Sequence, residues 1–492
     1  MKKINYINLV VLTIILTSCG ITKRDFNVQS GVNVSNYFLK DNVKEGIFVS
    51  KETAQKWWTE FNDPILDTLI NKVMQHNLDI NVAVANFEAS RAFLKNTKLD
   101  RFPTVTLNGN YTRTRLGENV FVPGANPTYN NFNGSFDAFW EADVFGRVSN
   151  RIKGAYANSQ LALADMQSVY ISMFAETARN YMELRGTQHM LGIAERNLKG
   201  QQNTYDLTVK LLEAGTSSNL DVSRALAQLE NTRATIHPLK ARIEALKNSL
   251  NVLIGEIPGE IDDTLLTEQP LPSLPESVAL DDNINELLRR RPDVRSAEAT
   301  LQIQIAKYNI SVADLYPKVQ FGGSIGFSAV DFSNFAQKES FTWSILPSIS
   351  WEAFNLGRVK QRIKENDALT LAALNKYEKT VLKALEETKT ALTNYVNELQ
   401  RRENLRASSA ASAKAATIAK QRYEAGLDNF IDYLSAENTM LVSENSLATS
   451  EIAATTYLIA IYKTLGGGWD IITEEDIDVK MMQLKQKETT IN

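Results

Sequence analysis

The 492-residue chain has one cysteine, three histidines and, beyond Leu16, no apolar run long enough to cross a bilayer as a helix. Each scarcity excludes something. A single cysteine, Cys19, cannot form a disulfide within the chain. His76, His189 and His237 lie far apart in sequence and none is four residues from another, so no metal-ligand cluster is spelled out. The glycine-rich "GGSIG" at 322–326 sits in an alternating stretch and does not open a helix, and "GGGW" at 466–469 lacks the Lys-Ser/Thr of a phosphate loop. Spacing suggests no Ser/His/Asp constellation either, so the expectation is no enzyme, no metal and no cofactor. A formal charge of −4 gives no electrostatic case for nucleic acid. With no apolar helix to span a membrane, any spanning part must be a β-barrel, whose alternating strands escape a hydropathy scan.

The first residues, "MKKINYINLVVLTIILTSCG", place two lysines before the largely apolar Leu9–Leu16, followed by small residues and Cys19. That is the layout of a secretory signal, too short to span. Leu16-Thr17-Ser18-Cys19 resembles the lipobox of bacterial lipoproteins, which would make Cys19 the acylated first residue of the mature chain. The alternative is an ordinary cleaved signal with an incidental cysteine. Gly20, rather than Asp, implies sorting to the outer membrane under the lipoprotein reading. Removal of residues 1–18 takes Lys2 and Lys3 and moves the formal charge from −4 to −6.

The chain repeats itself. "WEADVFGR" (140–147) returns as "WEAFNLGR" (351–358), "LLEAG" (211–215) as "RYEAG" (422–426) and Gly255 as Gly466, all at an offset of 211. "FPTV" (102–105) returns as "YPKV" (316–319) and "HNLD" (76–79) as "RRPD" (290–293), at 214. Ordered matches of this kind mark an internal duplication. Each half begins with a helical stretch, 64–100 and 283–315, stopped by Pro103 and Pro317. Period-two runs follow. Val105, Leu107, Gly109 and Tyr111 alternate with Thr104, Thr106, Asn108 and Asn110; Val319, Phe321, Gly323, Ile325 and Phe327 alternate with Lys318, Gln320, Gly322, Ser324 and Gly326. Partner runs carry Phe132, Phe136 and Trp140, and Phe341, Trp343, Ile345, Ile349 and Trp351. Runs of about 10–12 residues suit tilted membrane strands. A soluble sandwich is the competing reading, but four strands, with no other sheet foreseen, cannot close a core alone.

After each repeated corner comes a very long helix, 148–213 and 359–425, of roughly 90–100 Å at the helical rise. Val381, Leu385, Thr388, Leu392, Tyr395 and Leu399 form a 4-3-4-3-4 coiled-coil seam, and the small-residue run 407–419 suits close helix–helix approach. Gly215 and Gly426 are helix-ending positions, and returning helices are expected over 219–254 and 429–465, the first bent at Pro238. The expected division is a lipoprotein signal (1–18), an N-terminal tether (19–63), a first repeat (64–256, hairpin 104–142), a Pro-rich connector (257–282), a second repeat (283–467, hairpin 318–353) and an irregular tail (468–492). The loops 116–130 and 331–339 join the strands of each hairpin and are expected outside the cell.

A duplicated strand hairpin, long helix, glycine turn and returning helix, with a lipobox in front, resembles the TolC-type outer-membrane efflux channels, specifically the lipoprotein branch paired with RND pumps. The corners, the "YEAG" turn, "RRRPDV" (289–294) and "LGGGW" (465–469) carry the resemblance, over nearly the whole mature chain. It implies an α+β membrane protein in which three chains pool four strands each into a 12-stranded β-barrel, continued by a periplasmic α-helical barrel. It implies a homotrimer working with a periplasmic adaptor and an inner-membrane RND pump, with outer-membrane lipid around it. The repeated corner Gly146-Arg147 and Gly357-Arg358 would then turn strand into tunnel helix, and Trp140 and Trp351 would sit at the membrane interface, core packing being the alternative. In that family acidic residues narrow the far periplasmic end: Asp432 aligns with one, its counterpart in the first repeat is Asp221, the next acidic position is Ser435 here, and the arginine of the family's closing lock falls at Asp428. Asp221 and Asp432 also fit first-turn helix caps. The function implied is passive export for a pump; a protein-secretion duct of the same fold and a non-channel coiled-coil scaffold are the alternatives, and the substrate is not legible.

Overall fold

In the computed structural model, residues 22–26, 47–50, 55–117, 127–260, 269–280 and 288–491 are described. Cys19, the signal and residues 118–126 of the first hairpin loop lie outside them. The chain divides into two compact units, the first from residues 1–31, 87–162 and 296–378, the second from 32–86, 163–295 and 379–492.

The first unit holds a four-stranded antiparallel sheet in the order β2 (Thr104–Arg115), β3 (Thr128–Ala142), β5 (Lys318–Ala329), β6 (Phe341–Ser350). Its register puts like with like. Leu107, Phe136, Ile325 and Trp343 lie in one row across all four strands, and Val105, Ala138, Gly323 and Ile345 in another. Rows of the opposite parity hold Thr106, Asp137, Ser324 and Ser344, then Asn108, Ser135, Gly326 and Thr342. A one-residue slip would exchange the two faces, so side-chain chemistry fixes the pairing.

The second unit is mainly helical. Its core gathers Trp57, Trp58, Phe61, Phe174 and Tyr462, with Trp57 stacked on Tyr462 at 5.1 Å between ring centres. Two helices begin in the first unit and end in the second: α3 (Arg147–Glu213, 67 residues) and α6 (Leu356–Glu424, 69 residues). The seam holds along α6, where Val381, Thr388, Leu392 and Tyr395 are buried and Leu385 and Leu399 half-buried. Both long helices end in the same turn. Gly215 and Gly426, at φ +73° and +70°, donate to Leu212 O and Tyr423 O, and the next residues donate to Leu211 O and Arg422 O. A side chain is strained at that φ, so glycine stands in both copies. The returning helices are α4 (Asn219–Leu253), unbroken across Pro238, and α7 (Phe430–Thr464).

Four expectations need correction. The stretch 64–100 is two helices, α1 (Pro64–His76) and α2 (Leu78–Leu99), because Asn77 is extended and its Oδ1 accepts from Ile80 N to start the second. The matching stretch of the second repeat is interrupted in the same place: residues 288–290 are helical, Arg291 is not, and α5 (Pro292–Ala313) starts again with Pro292 at its first position. A second sheet exists: β1 (Phe48–Ser50), in the supposed tether, pairs parallel with β4 (Val278–Leu280), in the connector. The tail is not irregular, since α8 (Glu474–Ile491) starts from a reciprocal Thr473–Asp476 cap. Finally, β6 stops at Ser350, so Trp351 lies just past the strand.

The two offsets meet in space. Asn77 Nδ2 donates to Leu253 O (2.9 Å), and Arg291, its counterpart at 214, donates to Thr464 O (3.1 Å), the counterpart of Leu253 at 211. Beside these bonds a Cβ on Gly255 would stand 2.6 Å from His76 O, so the returning helix closes on its opening helix only with glycine there.

Candidate functional site

Three places in the chain have a chemistry that packing alone does not explain. In the first unit, one face of the sheet is apolar and bare: Leu107 is 71% exposed and Trp343 67%, and Val105, Phe136, Ile325, Ile345 and Ile349 are exposed with them. The other face is hydrogen-bonded, with Asn108 and Ser135 donating to Asp137 and Ser324 and Ser344 hydroxyls 2.8 Å apart. Beyond the strands the 331–340 segment folds back on the apolar face. Phe335 Cζ lies 2.7 Å from where a Cβ on Gly134 would stand, and Phe332 meets Phe132 edge-on at 5.4 Å. The edge strands β2 and β6 have no further strand beside them among the described residues.

At the other end of those strands the repeated corner makes a repeated bond. Trp140 Nε1 donates to Arg101 O and Trp351 Nε1 to Leu315 O, both at 3.0 Å. Each indole thus ties the end of its second strand to the segment that leads into its first. The Gly-Arg pairs are not equivalent. Gly146 has φ +75°, Asp143 caps Val148 N and Ser149 N at 2.8 Å, and Arg147 pairs with Glu141. The second corner has Phe354 in place of Asp143, and with that cap gone, Gly357 lies inside α6 and Arg358 is exposed with no ion pair among the described residues. A short segment docks here as well. Lys23 Nζ donates to Phe145 O (2.7 Å), Arg24 pairs with Asp367, and the Asn309 amide exchanges two bonds with the Arg24 backbone. By sequence these residues belong to the N-terminal tether 19–63, and a lone stretch of polar residues carries no signal of docking.

In the second unit the third place is the turn end of the helical hairpins. Asp221 lies in a reciprocal capping box with Ser218 and 3.8 Å from Arg224. Asp428 accepts two bonds from Arg422 (2.6 and 2.8 Å) across the Gly426 turn, which holds its carboxyl below the usual carboxylate range. Asp432 is exposed and unpaired among the described residues, and the Asn429 side chain makes no cap. The structure therefore separates three candidates grouped by sequence: one is a cap, one is a turn staple, and one is a free carboxylate. Around them Phe430, Tyr433 and Ala225 form a buried cluster, with Tyr423 stacked on Tyr433 at 5.9 Å. Tyr433 lies 2.9 Å from the Thr204 hydroxyl and donates to Glu437 (3.0 Å). Glu437 was not singled out from sequence; a Tyr-x-x-x-Glu spacing on one helix face is its only signal. "RRRPDV" and "LGGGW" join each other, as Trp469 Nε1 donates to Arg290 O and Arg290 pairs with Asp470.

Comparison with known proteins gives the following. The family model described as "Outer membrane efflux protein" matches residues 69–256 and 283–467. The probable efflux pump outer membrane protein TtgC of Pseudomonas putida is 28% identical over 424 residues, 84% of this chain and 85% of the relative. Outer membrane protein OprJ of Pseudomonas aeruginosa is 26% identical over 421 residues, 84% and 86% of the two chains. Among solved structures, the outer-membrane channel OprN superposes with a TM-score of 0.84 at 34% identity, covering 91% of this chain and 99% of that one.

Burial raises the Glu437 carboxyl above its ordinary 4.5, against the opposing effect of the Tyr433 hydrogen bond and Lys420. A raised carboxyl lends stability that is complete below 4.5 and lost as pH rises through the raised value. Glu437→Gln keeps an acceptor for Tyr433 and removes the charge. Its thermal unfolding temperature should exceed the parent's at neutral pH, with the gain vanishing as pH falls toward 4.5; a gain that does not change with pH would show that Glu437 is not the titrating group.

Proposed function

The chain belongs to the outer membrane efflux protein family, and on that premise we propose that it is the outer-membrane exit channel of a tripartite efflux system, serving an inner-membrane RND pump through a periplasmic adaptor. One observation carries the reading. A four-stranded sheet with two open edges and a bare apolar face is unstable in water and incomplete in lipid, where every backbone group must be paired. Copies of the chain joining β6 to β2 complete it, and three copies give 12 strands, apolar side to lipid and the Asp137 face to the lumen. The pump supplies the energy, and the chain needs no catalytic group. A scaffold without a channel leaves the apolar face without a role.

In cells lacking their own exit channel but holding the matching pump and adaptor, the chain should restore export of a fluorescent pump substrate. Continued accumulation, with the chain present in the outer membrane as a detergent-resistant trimer, would discard the export reading.

We also propose that Cys19 carries an acyl anchor. The support is its place directly after Leu16-Thr17-Ser18 and its being the one cysteine of the sequence. Mass spectrometry of the mature N-terminus should find a lipidated cysteine, and Cys19→Ser should accumulate unprocessed chain. An unmodified Cys19 in the mature protein would end the idea, while the trimer should form either way, since strand pairing closes the barrel.

For the narrow end, the support points to Asp432 over Asp221 and Asp428, whose carboxylates are already engaged. Three Asp432 carboxylates around the trimer axis would favour cations. In planar bilayers Asp432→Ala should weaken cation selectivity and divalent-cation block, whereas Asp221→Ala should chiefly lower thermal stability. Unchanged selectivity and block in a folded Asp432→Ala channel would leave Asp432 as a first-turn acid only.

A further inference from the structure

The segment between β5 and β6 packs its rings onto the apolar face of the sheet. It leaves β5 at Ala329, makes two short 3₁₀ turns, Phe332–Asn334 and Lys338–Ser340, and enters β6 at Phe341. Phe335, between the turns, points its Cζ at the place a Cβ on Gly134 would take, and its ring lies 6.2 Å from that of Phe327. Phe332 stacks on Phe335 at 6.1 Å with the ring planes 5° apart, and meets Phe132 edge-on. Gly134 belongs to the row Gly109, Gly134, Phe327 and Phe341, so two glycines hollow the apolar face there and Phe335 fills the hollow over β3. That row is two residues, about 7 Å, along the strands from the row of Leu107, Phe136, Ile325 and Trp343.

Three features decide what covers the outer side of this segment. Phe332 is 72% exposed, as bare as Leu107 and Trp343 on the same face. A loop in water buries its aromatic rings where it can; this one turns one ring into the sheet and leaves the next bare beside bare strands, so its outer side suits the surroundings that suit the face. The segment also leans toward β3, over the two middle strands, although it joins β5 to the edge strand β6. Copies that complete the sheet join at β2 and β6, so the segment keeps clear of them. Its charged residues stand at its two ends, Asp331 before the first turn and Lys338 and Glu339 in the second, all exposed. Rings in the middle and charges at the ends suit the boundary between acyl chains and headgroups.

We propose that the 331–340 segment is a lipid-binding element. It lies flat against the outside of the barrel wall, with Phe332 among the acyl chains of the leaflet at that end of the strands and Phe335 seated in the Gly134 hollow to hold it there. The proposal rests on the channel reading, which turns the apolar face to lipid, and adds a segment that neither guards the pore mouth nor stands in water. Membrane barrels carry aromatic girdles at the ends of their apolar band; here a connecting segment, not a strand, supplies the outermost rings.

The test uses the assembled full-length protein in vesicles of palmitoyl-oleoyl phosphatidylcholine, with p-benzoylphenylalanine replacing Phe332, Leu107 or Thr106 one at a time. After irradiation, mass spectrometry of the peptides reads what each probe has joined. The probe at Phe332 should give phosphatidylcholine adducts at a yield comparable to that at Leu107, and the probe at Thr106, on the polar face, should give few. Lipid adducts at Leu107 without any at Phe332, or cross-links from Phe332 to another copy of the chain, would overturn the proposal and leave the channel reading standing. No lipid adduct at either position in a folded trimer would remove the membrane placement of the sheet and the proposal with it. Phe335→Ala, added to the Phe332 probe, should lower the lipid-adduct yield roughly threefold or more, the population shift expected from losing a stacked pair; an unchanged yield would overturn the seating. If the Phe332 variant fails to assemble, the parent is irradiated in the same vesicles with a diazirine on the phosphatidylcholine acyl chain. Adducts on β2 with none on residues 331–340 would then overturn the proposal equally.

Discussion

One chain cannot satisfy its own sheet. Twelve to fifteen residues per strand in β2, β3 and β5, and ten in β6, form a ladder whose two edges are unpaired among the described residues, with Leu107, Phe136, Ile325 and Trp343 laid across one open face. In water such a face and such edges would draw chains together without order. In lipid the face is at ease, but the edges are intolerable until closed. Closure by copies and burial in a bilayer are therefore one requirement, and the rest of the chain has to present four strands at once, in register, from two distant parts of the sequence.

The duplication meets that requirement with joints made twice. Trp140 and Trp351 each bind the carbonyl 39 and 36 residues before them, and those carbonyls are themselves 214 residues apart. The helical ends repeat the device with Asn77 on Leu253 and Arg291 on Thr464. These are polar groups brought to the unpaired carbonyls that a helix or turn leaves behind, where an unmade bond is expensive. Because each joint spans the point where the offset changes from 214 to 211, the three residues lost between the motifs are absorbed without moving the joint.

Much of this was legible because period and repetition report on backbone geometry. Alternation over Val105–Tyr111 and Val319–Phe327 gave strand and face; Gly215 and Gly426 gave turns because few other residues tolerate that φ. What escaped had no period. The strands Phe48–Ser50 and Val278–Leu280 are three residues each, too short for alternation to register. The tail helix was signalled only by Thr473 and Asp476, a four-residue cap pattern that proline-poor polar sequence around it concealed. Docking of Lys23 and Arg24 depends on partners about 120 and 340 residues away, and no local rule reports that. Likewise a carboxylate's role at the turn end could not be read from alignment alone: Asp221, Asp428 and Asp432 are alike in sequence and differ in what they touch.

That difference runs through the whole turn end of the two repeats. The backbone turn is the same in both, yet Leu211, Leu212, Ser217, Asn219, Val222 and Leu226 of the first stand where the second has Arg422, Tyr423, Asp428, Phe430, Tyr433 and Glu437. The first hairpin is started by a capping box that any soluble helix could use. The second is started by an uncapped Asn429 and held instead by a side-chain network that includes a buried glutamate and an arginine–aspartate pair across the turn. The network also reaches the first hairpin, since Tyr433 lies 2.9 Å from the Thr204 hydroxyl and Ala225 packs in the same cluster. Of two hairpins with one backbone, the second therefore depends for its fastening on side chains far apart in sequence, and it also carries Asp432, unpaired among the described residues.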